Sequence, residues 1–265
     1  MLRSMYSAVS GLKNFQLKLD VIGNNIANVN TYGYKKNRAV FKDMVYQSQG
    51  GASASVAGGR GGTNPKQVGL GSQVSTIDQI ATQGSSQSTG RPLDLMINGD
   101  GYFMVTDGEG IFYTRAGNFA LTEAGDIVNG DGMYLTDGNG TTFTIDPQTT
   151  KSFSIGQDGS ININRTDGTL DSTQQIQIAK FANAEGLERI GSNLYIVSAN
   201  SGEQNIAAPG VQGNGQIISN TLEMSNVDLG EEFTEMIVAQ RAFQANTRTV
   251  TTADQILQEL MQMKR

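Results

Sequence analysis

The sequence predicts an α+β protein in which long N- and C-terminal helices pair as a coiled-coil-like domain around a mainly-β central domain of meander or barrel type. Three observations predict this. Apolar residues recur at heptad spacing at both ends of the 265-residue chain, the two ends carry opposite charge, and Asp-Gly and Asn-Gly dipeptides punctuate the middle.

At the N-terminus, Met1, Met5, Ala8, Leu12, Phe15, Leu19, Ile22, Ile26 and Val29 alternate in steps of four and three. This is an a/d register sustained over about four heptads. Near the C-terminus, Met236, Ala239, Phe243, Asn246, Val250, Ala253, Leu257 and Leu260 repeat it, interrupted only by Asn246. Stripes this narrow form no core alone, so each helix needs a partner. Residues 1–45 carry seven basic and two acidic side chains, and residues 222–265 seven acidic and four basic. Opposite signs favour mutual pairing. The helical domain is therefore placed at 1–35 and 222–265.

Both helices have an unusual second face. Opposite the N-terminal stripe lie Ser10, Asn14, Leu17, Val21, Asn24 and Asn28, and only Arg3, Lys13, Lys18 and Asp20 are charged along the helix. The C-terminal helix carries Gln240, Gln244, Thr247, Thr251, Gln255 and Gln258 around its stripe. Amides hydrogen-bond across an interface without the desolvation cost of full charges, so such helices suit burial on two sides. Many-sided packing between identical copies does not close and generates a filament. The expected helix and subunit packing residues are Met5, Leu12, Phe15, Leu19, Ile22, Ile26, Met236, Phe243, Val250, Leu257 and Leu260. The expected inter-subunit polar contacts are Asn14, Asn24, Asn25, Asn28, Gln240 and Gln244. Asn30 and Gly33 are expected to end the first helix, and the basic "YKK" that follows to lead outward.

Residues 36–74 are expected to form an extended linker. Its segment 47–66, "QSQGGASASVAGGRGGTNPK", has hardly any apolar anchor. The GGRGG within it lacks the GK[ST] and the flanking strand of a phosphate-binding loop. Residues 75–221 form the β-rich domain, in which "YFMVT", "IFYTRAGNFALT", "MYLTD", "TFTID", "FSIG", "SININ", "IQIAKFA" and "NLYIVS" read as strands. The Asp-Gly and Asn-Gly dipeptides supply the positive φ angles of tight hairpins. Asp131, Asp137 and Asn139 lack the spacing of a calcium loop, and turns explain them better.

Composition narrows the function classes. The chain has no histidine, cysteine or tryptophan, which removes Cys/His zinc sites, thiol nucleophiles and Ser-His-Asp triads. No cofactor is expected. A net charge of −6 and a pI near 4.7 argue against nucleic acid as a main partner. No apolar run reaches membrane-spanning length, and the N-terminus lacks the pattern of a removable signal peptide. Three classes remain: a structural polymer subunit, a soluble binding module and a carbohydrate-active enzyme. The paired heptads and amide-rich second faces favour the first, and no pair of acids is singled out for the last.

"SAVSGLKNFQLKLDVIGNNIANVNTYGYKK", "LDLMINGDGYFMV", "YTRAGNFALTEAGDIV" and "LEMSNVDLGEEFTEMIVAQRAFQANTRTVTTADQILQEL" together resemble the bacterial flagellar rod and hook family of axial proteins. The resemblance implies self-association into a helical tube, with the terminal helices lining a central export channel and the β domain outside. It implies export through the flagellar secretion apparatus without a cleaved signal, and neighbours among the other axial and cap proteins. "VSGL", "GNNIAN" and "AQRAFQANTRTVTTADQIL" look closer to a hook subunit, a flexible joint. The overall length and single β region look closer to a distal rod subunit, a rigid driveshaft. Hook is the expectation, and distal rod the alternative.

Overall fold

The computed structural model describes residues 2–54, 61–138 and 140–263. Met1 of the first stripe, residues 55–60 of the expected linker, Asn139, Lys264 and Arg265 lie outside the described residues. The chain divides into two compact units, one of Met1–Ile26, Asn37–Asp78 and Asp228–Arg265, the other of Ala27–Lys36 and Gln79–Val227.

The first unit is built on helix α1, Leu2–Ala27, and helix α2, Leu229–Met263. Asp228 caps α2: its Oδ1 accepts from the backbone N–H of Gly230 at 2.8 Å and Glu231 at 3.4 Å, and Glu231 and Glu232 stand in the positive first turn. The helices pack together antiparallel, since Gly11 faces Asn246, Lys18 pairs with Glu235, and Asn25 bonds Glu232. The heptad stripes are the sheltered faces of the two helices. Ala8, Ile22, Ala239 and Ala253 are buried, and Met5, Leu12, Phe15, Leu19, Ile26, Met236, Phe243, Val250 and Leu257 are half-buried. Asn246 interrupts the stripe where a Cβ on Gly11 would lie 2.8 Å from its Nδ2. The amide thus fills space that a smaller neighbour leaves.

α1 stops at Ala27, short of Asn30, and Val29 falls beyond the helix. Residues 28–33 instead form turns, with the Thr31 N–H donating to Asn28 O at 3.1 Å. Gly33 serves the turn rather than the helix. Its φ is +69°, and a Cβ there would come within 2.6 Å of the Ala116 backbone nitrogen.

Strands Asn37–Asp43 and Ser72–Gln79 pair and lie against α1. Asn14 donates to Ser72 Oγ at 2.8 Å, and the Phe15 ring sits 6.3 Å from that of Phe41. Strands Tyr46–Gly50 and Lys66–Gly69 pair antiparallel, and a bridge between Ser53 and Thr63 continues the ladder.

The second unit centres on a seven-stranded antiparallel sheet in the order Glu188–Gly191, Leu194–Ile196, Ile111–Thr114, Phe103–Thr106, Tyr134–Leu135, Ile127–Val128, Ala120–Leu121. Alternation along Phe103–Thr106 sends Phe103 and Val105 into one core with Leu95, Ile97 and Ile178, and Met104 into a second core with Tyr102, Tyr113 and Tyr195. The central strands are therefore buried on both faces. A three-stranded meander of Thr150–Ile155, Ser160–Arg165 and Leu170–Gln175 adds Ile155, Ile161 and Ile163 to the first core.

Two sequence readings change here. "TFTID" forms no strand, only isolated bridges at Thr142 and Thr144. "IFYTRAGNFALT" is one strand only to Thr114, because Arg115 leaves the sheet for a buried ion pair. Of the carboxylates tested for calcium, Asp137 serves a turn, its Oδ1 accepting the Thr141 N–H at 2.9 Å.

Candidate functional site

The expected packing residues are buried or half-buried, except Leu260, which is exposed near the end of α2. The expected polar contacts divide. Asn14 and Asn25 are buried and bonded within the chain, Asn24, Gln240 and Gln244 are exposed on helix faces, and Asn28 lies in the turn after α1. α2 also exposes two apolar patches, Phe233 with Ile237 near its start and Ile256, Leu260 and Met263 near its end. Within each patch the residues stand three or four apart and so share a helix face. α1 adds Tyr6 and Val9.

Glu232 escaped the sequence reading, although it extends the α2 stripe by one step of four before Met236. It is buried, and its carboxylate accepts from Asn25 Nδ2 at 3.2 Å. Lys18 and Glu235 form the ion pair that charge complementarity anticipated between the helices.

Other opposite charges meet inside the second unit. Lys35 of "YKK", expected to lead outward, is instead buried, with 1% of its side chain exposed against 0% for Glu223. Its Nζ donates to Glu223 Oε1 at 2.6 Å and to Thr82 O at 2.8 Å. Arg115 Nη1 reaches Glu223 Oε2 at 3.2 Å, so two cations share one carboxylate. Burial pushes the Lys35 ammonium below its usual range, opposed by the charge of Glu223. The correction has a physical reason: paired, hydrogen-bonded charges tolerate burial that single charges do not.

Around this cluster three segments of the unit are stitched together. The Asn226 Oδ1 accepts the Lys36 N–H at 2.7 Å, and its Nδ2 donates to Ile80 O at 2.9 Å and Thr82 Oγ1 at 3.0 Å. Arg189 donates to Lys35 O at 2.7 Å and Gln79 Oε1 at 3.1 Å, with the rings of Tyr34 and Tyr195 at 5.2 and 5.6 Å. Residues 36, 79 and 227, where the chain passes between units, are thus each fixed within or beside one polar network. The network holds and orients backbone. Among the described residues no group of three acids could hold a metal, and no helix is long and apolar enough to cross a membrane.

Comparisons with known proteins give this arrangement its class. Family models match at 5–35 (flagella basal body rod protein), 96–163 (flagellar hook protein FlgE/F/G D1 domain) and 218–263 (flagellar basal body rod FlgEFG protein C-terminal). They define a structural, non-enzymatic protein of the bacterial flagellar axis. The chain is 57% identical to the flagellar basal-body rod protein FlgG of Bacillus subtilis over 100% of both chains. It is 40% identical to that of Caulobacter vibrioides, over 99% of this chain and 100% of the relative. The chain belongs to the flagellar rod and hook family of axial proteins, and so assembles with other axial proteins at the flagellum. The flagellar hook protein FlgE of Borreliella burgdorferi is 30% identical, covering 100% of each, but over 442 aligned positions. Against 265 residues here, that hook protein carries a long stretch without counterpart. The relatives favour the rod alternative over the hook.

Proposed function

We propose that the chain is a rod subunit of the flagellar basal body, polymerising into a stiff helical tube that transmits torque. The observation carrying this reading is the correspondence with rod proteins over 99–100% of the chain. In the tube, α1 and α2 (domain 1–35 and 222–265) form the inner layer around the export channel, and the β-rich domain (75–221) lies outside. Export uses the flagellar secretion apparatus without a cleaved signal, and the ends of the polymer meet other axial and cap proteins.

The exposed apolar side chains of α2 and the exposed Gln240 and Gln244 support this role, since a neighbouring copy would cover them. Residues 36–74 bear on stiffness. Within this expected linker, strands Tyr46–Gly50 and Lys66–Gly69 pair as a ribbon, and a ribbon resists bending more than a coil. Replacing residues 47–66 with the matching hook segment is expected to introduce curvature. Unchanged stiffness would remove this assignment.

The role is tested in cells lacking the chain. The rod reading predicts basal bodies with a truncated rod and no hook, restored by the gene. Complete rods lacking only the hook would return the chain to the hook reading.

A further inference from the structure

Beside the ion cluster, within the second unit, is a cavity of about 180 Å³ whose wall includes Asp100, Tyr102, Arg115, Lys180 and Phe181. Arg115 is 5% exposed. Its Nη1 donates to Glu223 Oε2 and Ile97 O, its Nη2 to Gly99 O at 2.7 Å, and its Nε has no partner among the described residues. Lys180 Nζ carries three donors. Two are directed to Asp100 Oδ2 at 3.2 Å and Gly213 O at 3.0 Å.

We propose that this cavity binds an oxyanion of the carboxylate class, held by Arg115 Nε and the third N–H of Lys180. Two features argue for an anion. Lys35 and Arg115 share the single carboxylate of Glu223, leaving one buried positive charge uncompensated. Asp100 neutralises Lys180 from the solvent side, being 76% exposed, and leaves the deeper excess at Arg115. A water would satisfy the Nε–H but not this charge, whereas a carboxylate satisfies both. The site stands on the second unit alone, independent of the rod or hook role. Its occupant is either the carboxylate of a neighbouring copy of this acidic chain or a free small anion.

The test is calorimetric titration of the full-length chain with sodium acetate, with chloride at matched ionic strength as reference. Saturable acetate binding is expected, weakened about tenfold in Lys180→Gln by loss of one charge-assisted hydrogen bond. Lys180→Gln should melt with the parent, since its ammonium is partly exposed, so folding does not confound it. Arg115→Lys, which keeps the charge but lacks the Nε donor, should weaken acetate further. Acetate indistinguishable from chloride, or unchanged affinity in Lys180→Gln, would mean an ordered water only and overturn the site. Assembly assays then assign the source. Acetate that slows polymerisation, with Lys180→Gln assembling poorly, assigns the site to a neighbour's carboxylate. Unaffected polymerisation with acetate binding retained assigns it to a free anion.

Discussion

Asn25 on α1 donates to the buried carboxylate of Glu232 on α2 at 3.2 Å, and the same amide exchanges two hydrogen bonds with the backbone of Asn37, at 2.9 and 3.0 Å. One side chain thus ties both terminal helices to the first strand. Asn25→Ala leaves the Asn37 N–H and C=O and a buried carboxylate short of partners, at a cost of about 3 kcal/mol. Asn25→Asp should cost more, because it opposes two carboxylates. Urea unfolding followed by far-UV circular dichroism checks the order.

Among the described residues Glu223 is the carboxylate paired with both Lys35 and Arg115, so Glu223→Gln leaves two buried cations facing a neutral amide. A loss of about 3–5 kcal/mol is expected. The double variant Lys35→Met with Glu223→Gln should lose less than the sum of the singles, since it removes one stranded charge. Chemical denaturation of all three variants measures the coupling.

Burial raises the Tyr102 hydroxyl to about 12 and pushes Tyr195 and Tyr113 in the same direction. The sign follows from proton binding. Between pH 10 and 12 the unfolded chain loses the Tyr102 proton while the folded chain keeps it, so stability present below pH 10 falls as pH rises. Tyr102 alone contributes a fall of about 3 kcal/mol. Tyr102→Phe should flatten that part of the curve, read from melting temperatures across the alkaline range.

Phe15 packs near Phe41 and Phe243 is half-buried on the α2 stripe. Replacing either with Asp should abolish tube formation and motility while leaving the β unit folded. Normal motility would contradict the inner-tube role.

Much of the helical seam was legible because burial there follows a period, and even the break at Asn246 has its cause in Gly11 opposite. The charged core was not. Lys35 and Glu223 lie 188 residues apart, and no local pattern distinguishes a buried charge from a solvated one. Asn14 and Asn25 were expected to meet a neighbouring copy, whereas the chain's own strands supply partners for both. The ends of the β unit were equally hidden. A fragment of 70–220 would discard Lys35, Glu223 and Asn226, whereas 27–227 retains the whole second unit.

The most direct measurement is electron microscopy of the purified full-length chain beside the 27–227 fragment under assembly conditions. Straight, stiff tubes from the full chain and none from the fragment are predicted. Curved tubes would contradict the rod assignment, and tubes from the fragment would contradict assembly through α1 and α2.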